Sequence, residues 1–351
     1  MRGMAVELEF HMVNQDLAKH LARLIEDYRV GEIPPRTADV VEAWIQQFPS
    51  KEQDPLLDAL IHVFENTYIS RSKMKSFLGE LANSRNISKG KDPKEFWKSA
   101  NLLNIQKGGN SQSDILALFD EVLQRVHNLK AADVGSQDGS FFYLDDCIGT
   151  GNRVRHDIAA WLESANLPDE IDLHIITAVL FNGSYWIESK LKETATAKGK
   201  NITITKWRLD TFQMENRRAY RNNADVLWPT AIPDDTAVQA YAEQLRRLGH
   251  PPTLRSHTAA VPSFYKNSEQ KELLERLFLV RGCEIRQDNS YLPDNVRPLG
   301  YHNLDCFGFG SLFVTYRNCP NNCPISLWVQ QADSVTLLPR KTNRQSAASR
   351  A

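Results

Sequence analysis

Apolar residues near the start of the chain recur three and four positions apart: Leu17, Leu21, Leu24 and Tyr28, then Val41, Trp44, Ile45 and Phe48. Leu57, Leu60, Ile61 and Phe64 continue the spacing, and Met74, Phe77, Leu78 and Leu81 repeat it. A stripe at that interval is one buried helix face, so four helices are expected between about residues 13 and 84. Pro34-Pro35 and Pro49-Ser50 separate the first three, and Ser70 is placed to cap the fourth.

The polar, aperiodic stretch 85–95, with Gly90 and Pro93, reads as a linker. Beyond it short apolar runs alternate with helical patterns, which is the texture of an α/β domain. Strands are expected at 100–105, 141–144, 173–181 and 202–207, and helices at 113–126, 155–164, 184–193, 237–248 and 270–280. The continuous apolar run at 173–181 suits the middle of a parallel sheet. The expected division is a helical domain over 1–90, an α/β domain over 91–335 and a disordered tail over 336–351, where Ser, Ala and Arg accumulate.

Composition adds bounds. The chain has 351 residues, 42% of them hydrophobic, enough for a sizeable core. Its formal net charge of -1 advertises neither nucleic acid nor an anionic membrane as a global partner. Glu7, Glu9 and His11 interrupt the amino-terminal apolar residues before a signal-peptide core forms, so the expected location is cytoplasmic with no membrane partner. Five cysteines in a chain of this size are expected to be reduced.

The segment Phe141-Phe142-Tyr143-Leu144-Asp145-Asp146-Cys147-Ile148-Gly149-Thr150-Gly151-Asn152-Arg153 is an apolar strand ending in two acids, then a small-residue turn leading into a helix. Adjacent carboxylates at the carboxyl end of a strand can accept hydrogen bonds from vicinal ribose hydroxyls. Loop amides and a helix N-terminus bind phosphate, with Thr150 and Arg153 as further donors. The plain alternative is a strand-turn-helix junction with Asp146 as a helix cap and Gly151 permitting the turn.

These thirteen residues resemble the ribose-phosphate motif of the type I phosphoribosyltransferase family. By that resemblance Asp145 and Asp146 hold the ribose hydroxyls of phosphoribosyl pyrophosphate, and Gly149, Thr150, Gly151, Asn152 and Arg153 hold its 5′-phosphate. Tyr143, Cys147 and Arg153 depart from the family pattern. A second loop of that family binds pyrophosphate. Its candidate here is Gln106 to Ser111, in which Gly108 and Gly109 let the backbone approach an anion, Lys107 brings charge and Ser111 a hydroxyl. A solvent loop is the alternative. The implied cofactor is Mg²⁺, carried with the leaving pyrophosphate and with no protein residue assigned as a direct ligand, and the segment 128–140 is a candidate shortened lid.

The run from Arg297 to Trp328, with Tyr316-Arg317-Asn318-Cys319-Pro320-Asn321-Asn322-Cys323-Pro324, looks like the carboxyl-terminal part of the phosphoribosyltransferase-like proteins of bacterial conflict systems. That resemblance implies a helical, winged-helix-like front domain, and by association a retron or antiphage context with a defence-system protein or ribonucleoprotein partner. Arg71, Lys73 and Lys75 are candidates for DNA contact, but residues 1–90 hold eleven Lys/Arg against thirteen Asp/Glu, 11 − 13 = −2, which favours a protein partner.

Four other groups read more simply as structure. Cys306, Cys319, Cys323 and His302 lack the paired spacing of a zinc site. Phe307-Gly308-Phe309-Gly310 reads as strand packing rather than a base platform, Arg217, Arg218 and Arg221 as a solvated face, and His156 as a helix-surface histidine. The leading expectation is a transferase of ribose phosphate to an unidentified acceptor, and the competing one a non-catalytic sensor or scaffold that kept the pocket.

Overall fold

The computed structural model describes residues 13–341 apart from 165, 213, 215–223, 257–263, 290, 302–305 and 332–333. The elements run α1 (Gln15–Leu24), α2 (Ala38–Ile45), α3 (Gln53–Thr67), β1 (Tyr68–Ile69), α4 (Arg71–Asn83), α5 (Pro93–Ser99), β2 (Asn101–Leu102) and α6 (Ser111–His127). There follow β3 (Phe141–Ile148), α7 (Asn152–Ser164), β4 (Glu170–Phe181), α8 (Trp186–Ala197) and β5 (Asn201–Phe212). The last are α9 (Thr236–Arg247), α10 (Ser268–Asp288), β6 (Val296–Arg297), β7 (Gly300–Tyr301), β8 (Val314–Thr315) and α11 (Ile325–Trp328). None of the helices among the described residues is long and apolar enough to cross a membrane.

The caps fall where polar side chains precede the apolar stripes. Asn14 accepts from the Asp16 and Leu17 amides, Thr37 from Val40 and Ser70 from Lys73, which satisfies donors the first turn leaves orphaned. The expected linker is folded rather than free. Ile87 and Ser88 are buried, the Ser88 hydroxyl donates to the Lys91 carbonyl at 2.8 Å, and Asp92 caps α5 with Pro93 in its first turn.

Two compact units result, drawn along different lines from the expected 1–90, 91–335 and 336–351 division. One gathers residues up to Tyr68, Leu227–Leu312 and Asn321–Pro339; the other gathers Ile69–Val226, Phe313–Pro320 and the residues from Arg340. In the first, α1 to α3 share a core with residues far along the chain. Trp44 packs against Phe48 and Phe278 and donates from Nε1 to the Ser326 carbonyl at 3.0 Å. Leu337 and Leu338 are buried, and the Tyr28 hydroxyl donates to the Pro339 carbonyl at 3.0 Å. Residues 336–338 are therefore core and not tail, and 342–351 lie outside the described residues.

Helix α4 belongs to the second unit because its apolar face, Met74, Phe77, Leu78 and Leu81, packs on α6. That unit is built on a four-stranded, all-parallel sheet in the order β2-β3-β4-β5. One face carries α7 and α8 through Val154, Ile158, Trp161, Ile187 and Leu191, packed on Tyr143, Leu173 and Ile175. On the other, Phe142 meets Phe96 and Trp97, and Trp97 meets Phe119. Helices on both faces of a parallel sheet match the expected α/β class, and crossovers of this kind leave all strand carboxyl ends at one edge.

Candidate functional site

Strand β3 is longer than the apolar run predicts. Its pairing to β4 continues through Asp145↔Thr177, Cys147↔Val179 and Ile148↔Leu180, so both acids sit inside the strand rather than just past it. They are 5% and 6% exposed, deep enough for their charge states to depend on immediate neighbours. Asp145 accepts from the Asp146 amide at 2.9 Å and from the Ser111 hydroxyl. Burial, then the charge of Asp146, pushes its carboxyl up to about 8.

Asp146 titrates the other way. Burial, the largest single influence, would raise it, but the Arg317 charge and the hydrogen bonds from Asp145, Arg317 and Thr315 together exceed it, and the carboxyl lies below its ordinary value. Its Oδ2 accepts from Arg317 Nε at 3.0 Å and from Thr315 Oγ1 at 3.0 Å, and its Oδ1 from the Cys147 amide at 3.0 Å. Arg317 also donates from Nη1 to Asp114 Oδ2 at 3.2 Å. Sequence reasoning missed Asp114, Thr315 and Arg317. The resemblance of the 297–328 run was the available signal, but nothing in it says that Arg317 meets an acid 171 positions earlier.

The two expected anion loops come together. Arg153 donates from Nη1 to the Lys107 carbonyl at 2.7 Å, and the Lys107 amide bonds Asp157 of α7. Asp157 also accepts from the buried Tyr143 hydroxyl at 3.1 Å, so two of the departures from the family pattern, Tyr143 and Arg153, brace the loops. Gln112 Oε1 accepts from the Ile105 and Gln106 amides at 2.6 and 2.9 Å, closing the upstream loop. Its Nε2 is buried with no acceptor among the described residues. Gly108 and Gly109 have φ of +78° and +112°, backbone that glycine adopts without strain. Asn110 at the start of α6 makes no side-chain cap bond; in the following turn the Gln112 amide donates to Gln106 Oε1 at 3.3 Å.

Gly151 has φ of +81°, and a Cβ there would stand 1.9 Å from Ile187 Cδ1 of α8. Its carbonyl accepts from the Arg155 amide at 3.0 Å, which opens α7. The alternative role of Asp146 as a helix cap is thereby excluded: the turn begins five residues later, and Asp146 bonds Thr315 and Arg317 instead. Gly149 and Thr150 are partly buried, while Asn152, Arg153 and Lys107 are exposed.

The remaining candidates sort out locally. Arg71 and Lys75 pair with Glu121 at 2.6 and 2.9 Å, and Lys73 with Asp210 at 3.3 Å, so these cations serve α4 packing. His156 is exposed and meets Arg155 at 2.9 Å. Phe307 and Phe309 are buried. Cys306, Cys319 and Cys323 are buried and form no disulfide, and no group of three metal-ligating side chains occurs among the described residues. His302, Arg217, Arg218 and Arg221 lie outside the described residues.

Searches of curated proteins and of solved structures each returned no match. A family model described as PRTase-CE matches residues 41–340, a span that takes in both expected anion loops, the Asp145-Asp146 pair and Arg317. The chain belongs to the PRTase-CE family and is a phosphoribosyltransferase-like protein.

Proposed function

We propose that the second unit binds phosphoribosyl pyrophosphate, or a related ribose phosphate, and transfers the ribose phosphate to an acceptor. One observation carries the reading: Lys107 and Arg153, on loops far apart in sequence, are joined at 2.7 Å beside a buried acid pair. The loop Gly149 to Arg153 would take the 5′-phosphate, the loop Lys107 to Ser111 the diphosphate, and Asp145 and Asp146 the ribose hydroxyls.

The reaction is a displacement at the anomeric carbon. The bond from C1 to the diphosphate oxygen breaks with its electron pair leaving on that oxygen, and an acceptor lone pair forms the new bond to C1. The sugar passes through a cationic, oxocarbenium-like state, which the negative charge of Asp146 favours. Asp145 shares its proton with Asp146, so it would meet a ribose hydroxyl as an acceptor through its remaining lone pairs. The donor set does not fit a metal site made by protein alone. Asp146 is already bonded to Arg317, and no cluster of three ligating groups occurs among the described residues, so any Mg²⁺ would arrive as the counter-ion of the diphosphate.

A second reading, a sensor or scaffold that binds ribose phosphate without turnover, is favoured by the same Arg317–Asp146 pair, which occupies an acid the transferase reading needs. A role in antiphage defence, with a protein or ribonucleoprotein partner, rests on the resemblance of the 297–328 run. Calorimetry with phosphoribosyl pyrophosphate tests both readings, since no binding removes both. Pyrophosphate release that vanishes in Asp145→Asn/Asp146→Asn supports transfer, and binding without release across candidate acceptors supports the sensor.

A further inference from the structure

We infer that Arg317 is the resident cation of this site, so that the chain takes up phosphoribosyl diphosphate without needing a divalent metal. The inference rests on the ribose-phosphate reading above and concerns how the charge of the ligand is met.

Diphosphate sites commonly neutralise their ligand with Mg²⁺, which binds through one or two carboxylates as well as the phosphates. Here the carboxylates available for that role converge on a guanidinium. Arg317 Nε lies 3.0 Å from Asp146 Oδ2, and Nη1 lies 3.2 Å from Asp114 Oδ2. A carboxylate offers roughly four lone-pair positions. On Asp146, Arg317 and Thr315 take Oδ2 and the Cys147 amide takes Oδ1, which leaves little room for a hydrated cation. Admitting one would strip a guanidinium only 14% exposed of its partners.

Nor is the guanidinium needed as a strut. The segment that carries it is already fixed: the Tyr316 amide donates to the Ile69 carbonyl at 2.8 Å, and Asn318 exchanges two bonds with the Lys341 backbone at 2.9 and 3.1 Å. A half-buried arginine at the acid pair then stands out by its chemistry. Its charge is permanent, and its planar fork carries five N–H donors, of which these contacts use two, leaving others to meet phosphate oxygens. The charge of Arg317 is already matched by its acids, so what the chain offers a diphosphate is these remaining N–H donors, the glycine amides of the upstream loop and the Lys107 charge.

The test is calorimetric titration of the full chain with phosphoribosyl pyrophosphate, once in EDTA and once in excess MgCl2, with MgCl2 alone as a third titration. The expected results are affinities within about threefold of each other with and without metal, and no binding of MgCl2 alone. Arg317→Gln should weaken binding about tenfold or more in EDTA and regain part of it with Mg²⁺, because Asp146 has then lost its cation. Arg317→Lys, which keeps the charge and loses the fork, should fall between. Wild-type binding that requires Mg²⁺ overturns the inference and leaves the ribose-phosphate reading standing. Absence of binding in both buffers overturns that reading, and this inference with it. The wild-type comparison decides even where Arg317→Gln does not fold.

Discussion

Arg153 and Lys107 meet through one hydrogen bond, guanidinium Nη1 to main-chain oxygen at 2.7 Å. Arg153, one of the departures from the family pattern, is thus a clasp between the two candidate anion loops. Replacing it with threonine opens the clasp. Arg153→Thr should speed amide hydrogen exchange across residues 106–111 and weaken phosphoribosyl pyrophosphate binding about two- to fivefold, with the denaturation midpoint nearly unchanged because Arg153 is exposed. Unchanged exchange at 106–111 would show that the clasp does not order the loop.

Gly151 is constrained twice, by a φ of +81° and by Ile187 Cδ1 at 1.9 Å from the position of an added Cβ. Gly151→Ala should destabilise by about 2–4 kcal/mol, from backbone strain together with overpacking. Adding Ile187→Ala removes the clash and leaves the strain. The double variant should therefore be less unstable than the two single losses summed, as read from urea midpoints.

Asp145 gives a pH signature. Burial, then the charge of Asp146, lifts its carboxyl to about 8, whereas an unfolded aspartate titrates near ~4. The folded chain holds this proton more tightly than the unfolded one, so the stabilisation is full below about 4 and is lost as pH rises through about 8. Asp146 has the opposite sign: its contribution is present above about 4 and lost as pH falls through its depressed value. Wild type should lose stability from pH 5 to 8 relative to Asp145→Asn, about 1 kcal/mol or more. Parallel urea curves for the two proteins over that window would count against a buried, protonated Asp145.

Arg317 holds two acids, so its loss and its removal together with a partner should differ. Arg317→Ala leaves Asp146 buried beside Asp145 without its cation, at a cost of about 3–5 kcal/mol. Asp146→Asn in the Arg317→Ala background should recover part of that, giving a coupling energy of about 1–3 kcal/mol in a double-mutant cycle. Additive single losses would mean that the pair in the structure contributes no net interaction.

Much of the architecture is legible in the chain because it is local. The stripe Leu57, Leu60, Ile61 and Phe64 becomes α3, the apolar run at 173–181 becomes the centre of β4, and Gly151 turns the chain into α7. Helix α5 escapes such reading: its seven residues are too few for a periodic stripe, and its anchors Phe96 and Trp97 face a sheet that the sequence does not display. The extent of β3 escapes it too, since two buried acids in a strand are tolerable only with partners, and those come from other segments.

By itself the sequence determined the helix stripes, the strand-acid-glycine order around Asp145 and Asp146, and the family resemblance, all of which depend on neighbours a few positions apart. Only the tertiary structure decided that residues 227–312 and 321–339 share a unit with α1 to α3, that α4 packs on α6, and that Arg317 lies against Asp146. The physical reason is the range of the information. Periodicity and turn chemistry act within a few residues, whereas burial brings together groups 171 positions apart, and the charge state of a carboxylate follows from which of them arrive.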